Sequence, residues 1–154
     1  MKTRLALFLL PVVLLVGAGS LFVMQKQSTD PVITVYKTST CGCCRAWVRH
    51  VREAGFEVVA HDVADLGAVK RRHGIPRRLS SCHTALLGDY VIEGHVPAEV
   101  VKKLWAELPD VKGITVPGMP IGSPGMEGPN PQPYDVLTFD DAGNTAVFVS
   151  VVPD

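Results

Sequence analysis

Three cysteines occupy four consecutive positions, Cys41-Gly42-Cys43-Cys44, directly after the apolar run Val32-Ile33-Thr34-Val35-Tyr36 and a short polar turn. A fourth, Cys82, stands further on with His83 beside it, and the 154-residue chain has no other cysteine. Thiolates are the softest ligands and the strongest nucleophiles among side chains, so this concentration points to metal or redox chemistry. Cysteines serving as scattered staples would lie on separate strands, because a disulfide joins two distant positions. Cys41 and Cys44 have C-x-x-C spacing, which marks a dithiol couple or half of a metal site. Cys43 sits between them, and a simple oxidoreductase has no use for a third thiol there.

The plainer reading is a structural disulfide, either Cys41–Cys44 or a bridge to Cys82, since an adjacent Cys43–Cys44 bond would be strained. Against it, three thiolates within one turn can bridge several soft ions. Zinc asks for four tetrahedral ligands from separated positions, which C-x-C-C supplies poorly. Copper(I) accepts two or three soft ligands and takes thiolate, imidazole and thioether alike. Copper(I) is the better match.

Imidazole and thioether are both at hand. His95, in Glu93-Gly94-His95-Val96-Pro97, falls at a strand-to-helix turn from which a ring could reach the cysteines. His83 adjoins Cys82, although strand alternation would turn the two to opposite faces. His50 follows Cys44 by six residues, which faces it elsewhere, toward solvent; His61 and His73 end surface elements. Trp47 reads as core or as a cover over the thiols. Met119 and Met126 stand in a repeated Pro-Gly-Met frame, Pro117-Gly118-Met119 and Pro124-Gly125-Met126. The ordinary role for such methionines is to fill gaps; beside surplus thiols, copper ligation is the alternative.

The elements that must position these residues alternate. Val32 to Tyr36 is β-branched and reads as a strand. A helix from Cys44 to Ala54 closes at Gly55. Phe56 to Ala60 is a second strand, and Asp62 or Asp65 can cap a short helix from Leu66 to His73, ended by Gly74. Thr84–Leu87, the turn Gly88-Asp89 and Tyr90–Gly94 make a hairpin. Pro97 opens a helix whose apolar face is Val100, Val101, Leu104, Trp105 and Leu108. The order β-α-β-α-β-β-α implies an α/β sheet with a parallel core covered by helices, and it is that of a thioredoxin-like domain, whose central sheet is mixed. The cysteines then lie at a helix N-terminus, whose partial positive charge lowers a thiol pKa. Cys82 falls in the loop entering the third strand, where thioredoxins carry a cis-proline; the nearest proline here is Pro76.

Residues 1–24 read as a targeting segment: Lys2 and Arg4, an apolar stretch, then Gly17-Ala18-Gly19-Ser20. A cleaved secretory signal is expected, with an uncleaved membrane anchor as the alternative. Either exports the chain, most simply to a bacterial periplasm. Residues 25–31 form a tether, 32–112 the thioredoxin-like domain, 113–133 a Gly/Pro/Met-rich loop, and 134–154 a C-terminal hairpin. With 15 basic and 15 acidic residues and no basic patch interleaved with aromatics, nucleic-acid binding finds no support. Ser123 has no acid or base at a recognisable spacing, which argues against a serine hydrolase.

The stretches VYKTSTCGCCRAWVRHV, SSCHTALLGDYVIEGHVPAE and VPGMPIGSPGME occur in that order and together resemble the small exported copper-resistance family called CopG. The resemblance covers most of residues 32–127. It implies a thioredoxin-like fold, a periplasmic location, and copper bound as a small thiolate-bridged cluster of more than one ion that cycles between copper(I) and copper(II). By position it implies Cys41, Cys43, Cys44 and Cys82 as thiolate ligands, a histidine (His95, or His83 in its place) completing the site, and the methionine loop as its flap or entry route. Other periplasmic copper-handling proteins are the implied partners. A thiol–disulfide oxidoreductase, with Cys41 as nucleophile and Cys44 resolving, and a passive copper chaperone or store are the alternatives.

Overall fold

A computed structural model describes residues 31–153. The expected signal or anchor at 1–24, and the tether up to residue 30, lie outside the described residues. Among those described, no helix is long and apolar enough to cross a membrane.

The elements follow the order β1 (Ile33–Lys37), α1 (Gly42–Glu53), β2 (Val58–Asp62), α2 (Leu66–Arg72), a 3-10 turn (Arg77–Leu79), β3 (Thr84–Leu87), β4 (Tyr90–Glu93), α3 (Ala98–Glu107), β5 (Gly113–Thr115), β6 (Tyr134–Phe139) and β7 (Thr145–Val151). All seven strands join one sheet in the order β2-β1-β3-β4-β5-β6-β7. β1 pairs with β2 in parallel and with β3 antiparallel, and the β3–β4 hairpin is antiparallel. The expected parallel core is therefore confined to β1–β2 and β4–β5, and the sheet is mixed. The chain is an α/β protein, and its β2-β1-β3-β4 half, with α1 crossing between β1 and β2, has the thioredoxin-like arrangement.

Alternation along the strands sorts the two faces. Ile33, Val35, Ala85, Leu87 and Ile92 pack with Trp47, Val48 and Val51 of α1 and with Val100, Val101 and Leu104 of α3. On the other face Val91 packs with Ile75, Leu79 and Phe139, and Leu86 lies against them. α2 buries none of its own residues fully. Its tie to the sheet is polar, through Lys70 to Thr84 and Glu93.

One strand lies within the stretch expected to be loop. Gly113–Thr115 pairs with β4 on one side and β6 on the other, so the C-terminal hairpin continues the main sheet. Gly113 belongs there because a Cβ would sit 2.1 Å from the Val91 carbonyl oxygen, closer than any side chain allows.

Candidate metal centre

β1 ends at Lys37, and the turn after it delivers Cys41 to the first position before α1. The Cys41 N–H donates to the Thr38 carbonyl at 3.2 Å, and Arg45 Nη1 donates to the Ser39 carbonyl at 3.0 Å. Cys41 is the N-cap: its Sγ accepts the Cys44 N–H at 3.2 Å, so a sulfur does what a serine or aspartate oxygen usually does. Cys41 and Cys44 are joined as a disulfide with their Cα atoms 5.3 Å apart. Cys43 and Cys82 are free and half-buried.

Cys82 arrives from the loop before β3. Its Sγ lies 3.4 Å from Cys44 Sγ and 3.7 Å from Cys43 Sγ, and Cys43 Sγ is 3.5 Å from Cys41 Sγ. All four sulfurs fall within 4.8 Å of one another. Two devices absent from the sequence expectation hold Cys82 there. Glu93, fully buried, accepts the Ser81 N–H with one carboxylate oxygen and the Thr84 hydroxyl with the other, at 2.7 Å for the latter. The carboxylate thus clamps the residues on either side of Cys82-His83, and Lys70 balances its charge. Gly94, at φ +76°, lets the Ser81 loop cross close by; a Cβ there would lie 2.5 Å from Ser81 Cβ.

Both candidate histidines are buried against Cys82. His95 Nε2 lies 2.8 Å from Cys82 Sγ. Its Nδ1–H donates to the Pro124 carbonyl at 2.7 Å, which puts the ring proton on Nδ1 and leaves the Nε2 lone pair facing sulfur. His83 Nδ1 is 3.4 Å from the same sulfur, so His83 and Cys82 do not diverge as expected. They precede β3 in a bend, where strand alternation does not apply. The His83 ring packs 4.4 Å from Trp47 and 5.0 Å from His95, centre to centre. Trp47 belongs to the core, its Nε1–H donating to the Val96 carbonyl at 2.8 Å.

The remaining histidines are elsewhere. His50 is half-buried rather than solvated: its Nε2 accepts the Ala98 N–H at 3.0 Å and caps α3, whose own N-cap is a proline without a side-chain acceptor. His61 and His73 both stack on Tyr36. The Pro-Gly-Met loop meets the site through its backbone. Besides Pro124, Gly125 at φ +84° packs on the first turn of α1, where a Cβ would lie 2.7 Å from the Cys43 carbonyl oxygen. Met126 is half-buried, and Met119 is 51% exposed.

Burial sets the electrostatics. It pushes the Cys82 thiol up to about 12, with neighbouring Cys43 adding to the effect. The sequence expectation of thiols ionised by the helix N-terminus therefore does not extend to Cys82, which comes from a buried loop. Burial also holds His83 well below the ordinary imidazole value, and His95 below it. Both rings are neutral near pH 7 and able to donate a lone pair. The centre thus offers two overlapping donor groups, one of four sulfurs and one of Cys82, His83 and His95.

A thioredoxin-like domain whose C-x-x-C turn carries a surplus thiol, faced by a fourth cysteine and two neutral imidazoles, defines a class: a domain with a cluster of soft donors that could hold a metal ion. Two solved structures, both titled copper resistance protein CopG, match the chain. One (form 2) is 41% identical, with 80% of this chain and 100% of that one covered at a TM-score of 0.75. The other (form 1) is 40% identical, with 81% and 99% covered at a TM-score of 0.75. Residues 79–126 match a family described as a protein of unknown function, DUF411. No curated protein matches. The chain belongs to the CopG family of copper resistance proteins.

Proposed function

We propose that this protein serves copper resistance in the periplasm by holding copper(I) in a thiolate-bridged site and cycling it between copper(I) and copper(II). The observation that carries the reading is four sulfurs within 4.8 Å of one another in a CopG-family chain. Cys41, Cys43, Cys44 and Cys82 are the thiolate ligands, and four bridging sulfurs suit more than one ion. His95 completes the set because its Nε2 lone pair faces Cys82 Sγ at 2.8 Å. His83 is the competitor. Met119 and Met126 line the route by which the metal arrives, and residues 1–24 export the chain.

The Cys41–Cys44 couple supplies electrons. Two copper(II) ions each take one electron from the dithiol, which closes to the disulfide and releases two protons. The ions are left as copper(I). An external dithiol reopens the bond by exchange and is itself oxidised to a disulfide. Because thiols must lose their protons to bind, uptake at Cys82 also releases a proton.

A second reading, a thiol–disulfide oxidoreductase acting on proteins, is favoured by the Cys41–Cys44 disulfide at the start of α1. The two separate in one experiment. Reduced protein is mixed anaerobically with copper(II), copper(I) is counted with a chromogenic chelator over repeated additions of dithiol, and protein-disulfide reduction is assayed alongside. The proposal expects two copper(I) per dithiol oxidised, renewed with each addition. Efficient protein-disulfide turnover that survives Cys43→Ser, without copper reduction, contradicts it.

A further inference from the structure

Closing the Cys41–Cys44 bond withdraws two of the four sulfurs from the metal, yet the site does not lose its donors evenly. Cys82 contacts both groups: Cys43 and Cys44 on one side, His83 and His95 on the other. The hydrogen bonds that anchor the two histidines do not involve Cys41 or Cys44. His95 is fixed through Pro124, and the Cys82-His83 pair is clamped through Ser81 and Thr84 by Glu93.

We propose that Cys82 serves two alternative ligand sets that the Cys41–Cys44 bond exchanges. With the bond open, the four sulfurs hold several copper(I) ions. With it closed, Cys82, His83 and His95 form a separate site for one soft monovalent ion. The inference rests on the copper reading above and adds to it a resting place for metal in the oxidised protein.

Three observations carry it. The donor atoms of Cys82, His83 and His95 lie within 4.8 Å of one another, and Cys43 is outside that group. One sulfur with two imidazoles is a trigonal set that copper accepts. Finally, His83 is fully buried and its Nε2 has no hydrogen-bond partner among the described residues. Its Nδ1 lies 3.4 Å from Cys82 Sγ, so the ring turns one nitrogen toward the sulfur and keeps the other to carry the proton, the tautomer that a metal bond at Nδ1 requires. The exchange itself is balanced: opening the disulfide adds two electrons and two protons to the sulfurs, taken from an external dithiol that becomes a disulfide.

Silver(I) is the probe, because it is a redox-inert stand-in for copper(I) and does not oxidise Cys43 or Cys82. Disulfide-linked and anaerobically reduced protein are each titrated with silver(I), read by calorimetry and native mass spectrometry. Thiol alkylation confirms that the bond stays closed, and near-ultraviolet circular dichroism of Trp47 confirms the fold. The oxidised wild type should bind one silver per chain, and the imidazole nitrogen resonances of His83 and His95 should shift. Cys43→Ser should leave that ion in place, Cys82→Ser should remove it, and His95→Gln should weaken it by at least about tenfold. A folded, oxidised protein that takes up no silver, or whose silver is lost with Cys43→Ser and leaves the imidazole resonances unmoved, overturns the inference. Reduced protein that binds no more silver than the oxidised form instead overturns the thiolate-cluster reading on which it rests.

Discussion

Cys82 Sγ and His95 Nε2 meet at 2.8 Å, although one comes from the loop before β3 and the other from the turn after β4. The contact exists because β3 and β4 pair directly, Thr84 opposite Glu93, so that the residues just outside the hairpin's open end converge. The hairpin brings a thiol and an imidazole to the N-terminus of α1, where the other three sulfurs wait. Everything proposed for copper depends on that meeting.

The clamp beneath it should be worth more to the fold than its size suggests. Glu93→Ala removes the charge that balances Lys70, leaving it only the Thr84 hydroxyl, and leaves the Ser81 N–H and the Thr84 hydroxyl without their acceptor. Breaking a buried pair from one side costs about 3–5 kcal/mol. Glu93→Gln, which keeps an oxygen for Ser81, should cost clearly less. Urea denaturation of the metal-free protein checks both, and equal midpoints for the two variants would refute the clamp.

The Pro-Gly-Met loop should be sensitive at one glycine and tolerant at its counterpart. Gly125→Ala forces a side chain into φ +84° and against the Cys43 carbonyl, so the loop must lift and Pro124 must release His95. Losing such an outer contact lowers metal affinity by about 10–100-fold. Gly118→Ala has φ +71° but nothing within 4 Å of its Cβ, so only the left-handed backbone cost of about 1–2 kcal/mol applies. Copper(I) competition titrations should separate the two, and equal affinities would contradict the loop's part in the site.

Acid should destabilise the empty protein through its histidines. His83, His50 and His73 are all depressed in the folded state, chiefly by burial, below the ordinary value of 6.5. In the window beneath 6.5 the unfolded chain binds more protons than the folded one, so their contribution is complete above that value and is lost as pH falls. Glu93 opposes this at lower pH, because burial raises its carboxyl above 4.5 and folding there favours the protonated form. The thermal midpoint of a Glu93→Gln variant, which lacks that opposing carboxyl, should therefore drop as pH falls below 6.5. A midpoint that rises as pH falls there would show these rings to be protonated in the folded state.

Much of this was readable in residue order alone. The β-α-β-α-β-β-α reading put the cysteine turn at a helix start and Cys82 in the loop facing it, because apolar alternation and Gly or Pro punctuation are local signals. What escaped was long-range. The strand Gly113–Thr115 is three residues long and opens a Gly- and Pro-rich stretch, so it has no periodicity of its own; it exists because β4 and β6 offer it partners. Glu93 ends an apolar strand before a glycine, which reads as a solvent-facing terminus until Lys70 is seen beneath it. His50 was placed by its angle from Cys44 on one helix, whereas its partner Ala98 begins another.

The central claim is that Cys82 completes a multi-copper thiolate site with the cysteines of α1. Anaerobic titration of the reduced protein with copper(I), against a chelator of known affinity, tests it most directly in the wild type and in Cys82→Ser. More than one copper(I) per wild-type chain, falling sharply in a Cys82→Ser variant that still folds, is the predicted result. A wild type that binds one ion or none, or a variant that binds as many as the wild type, would contradict it.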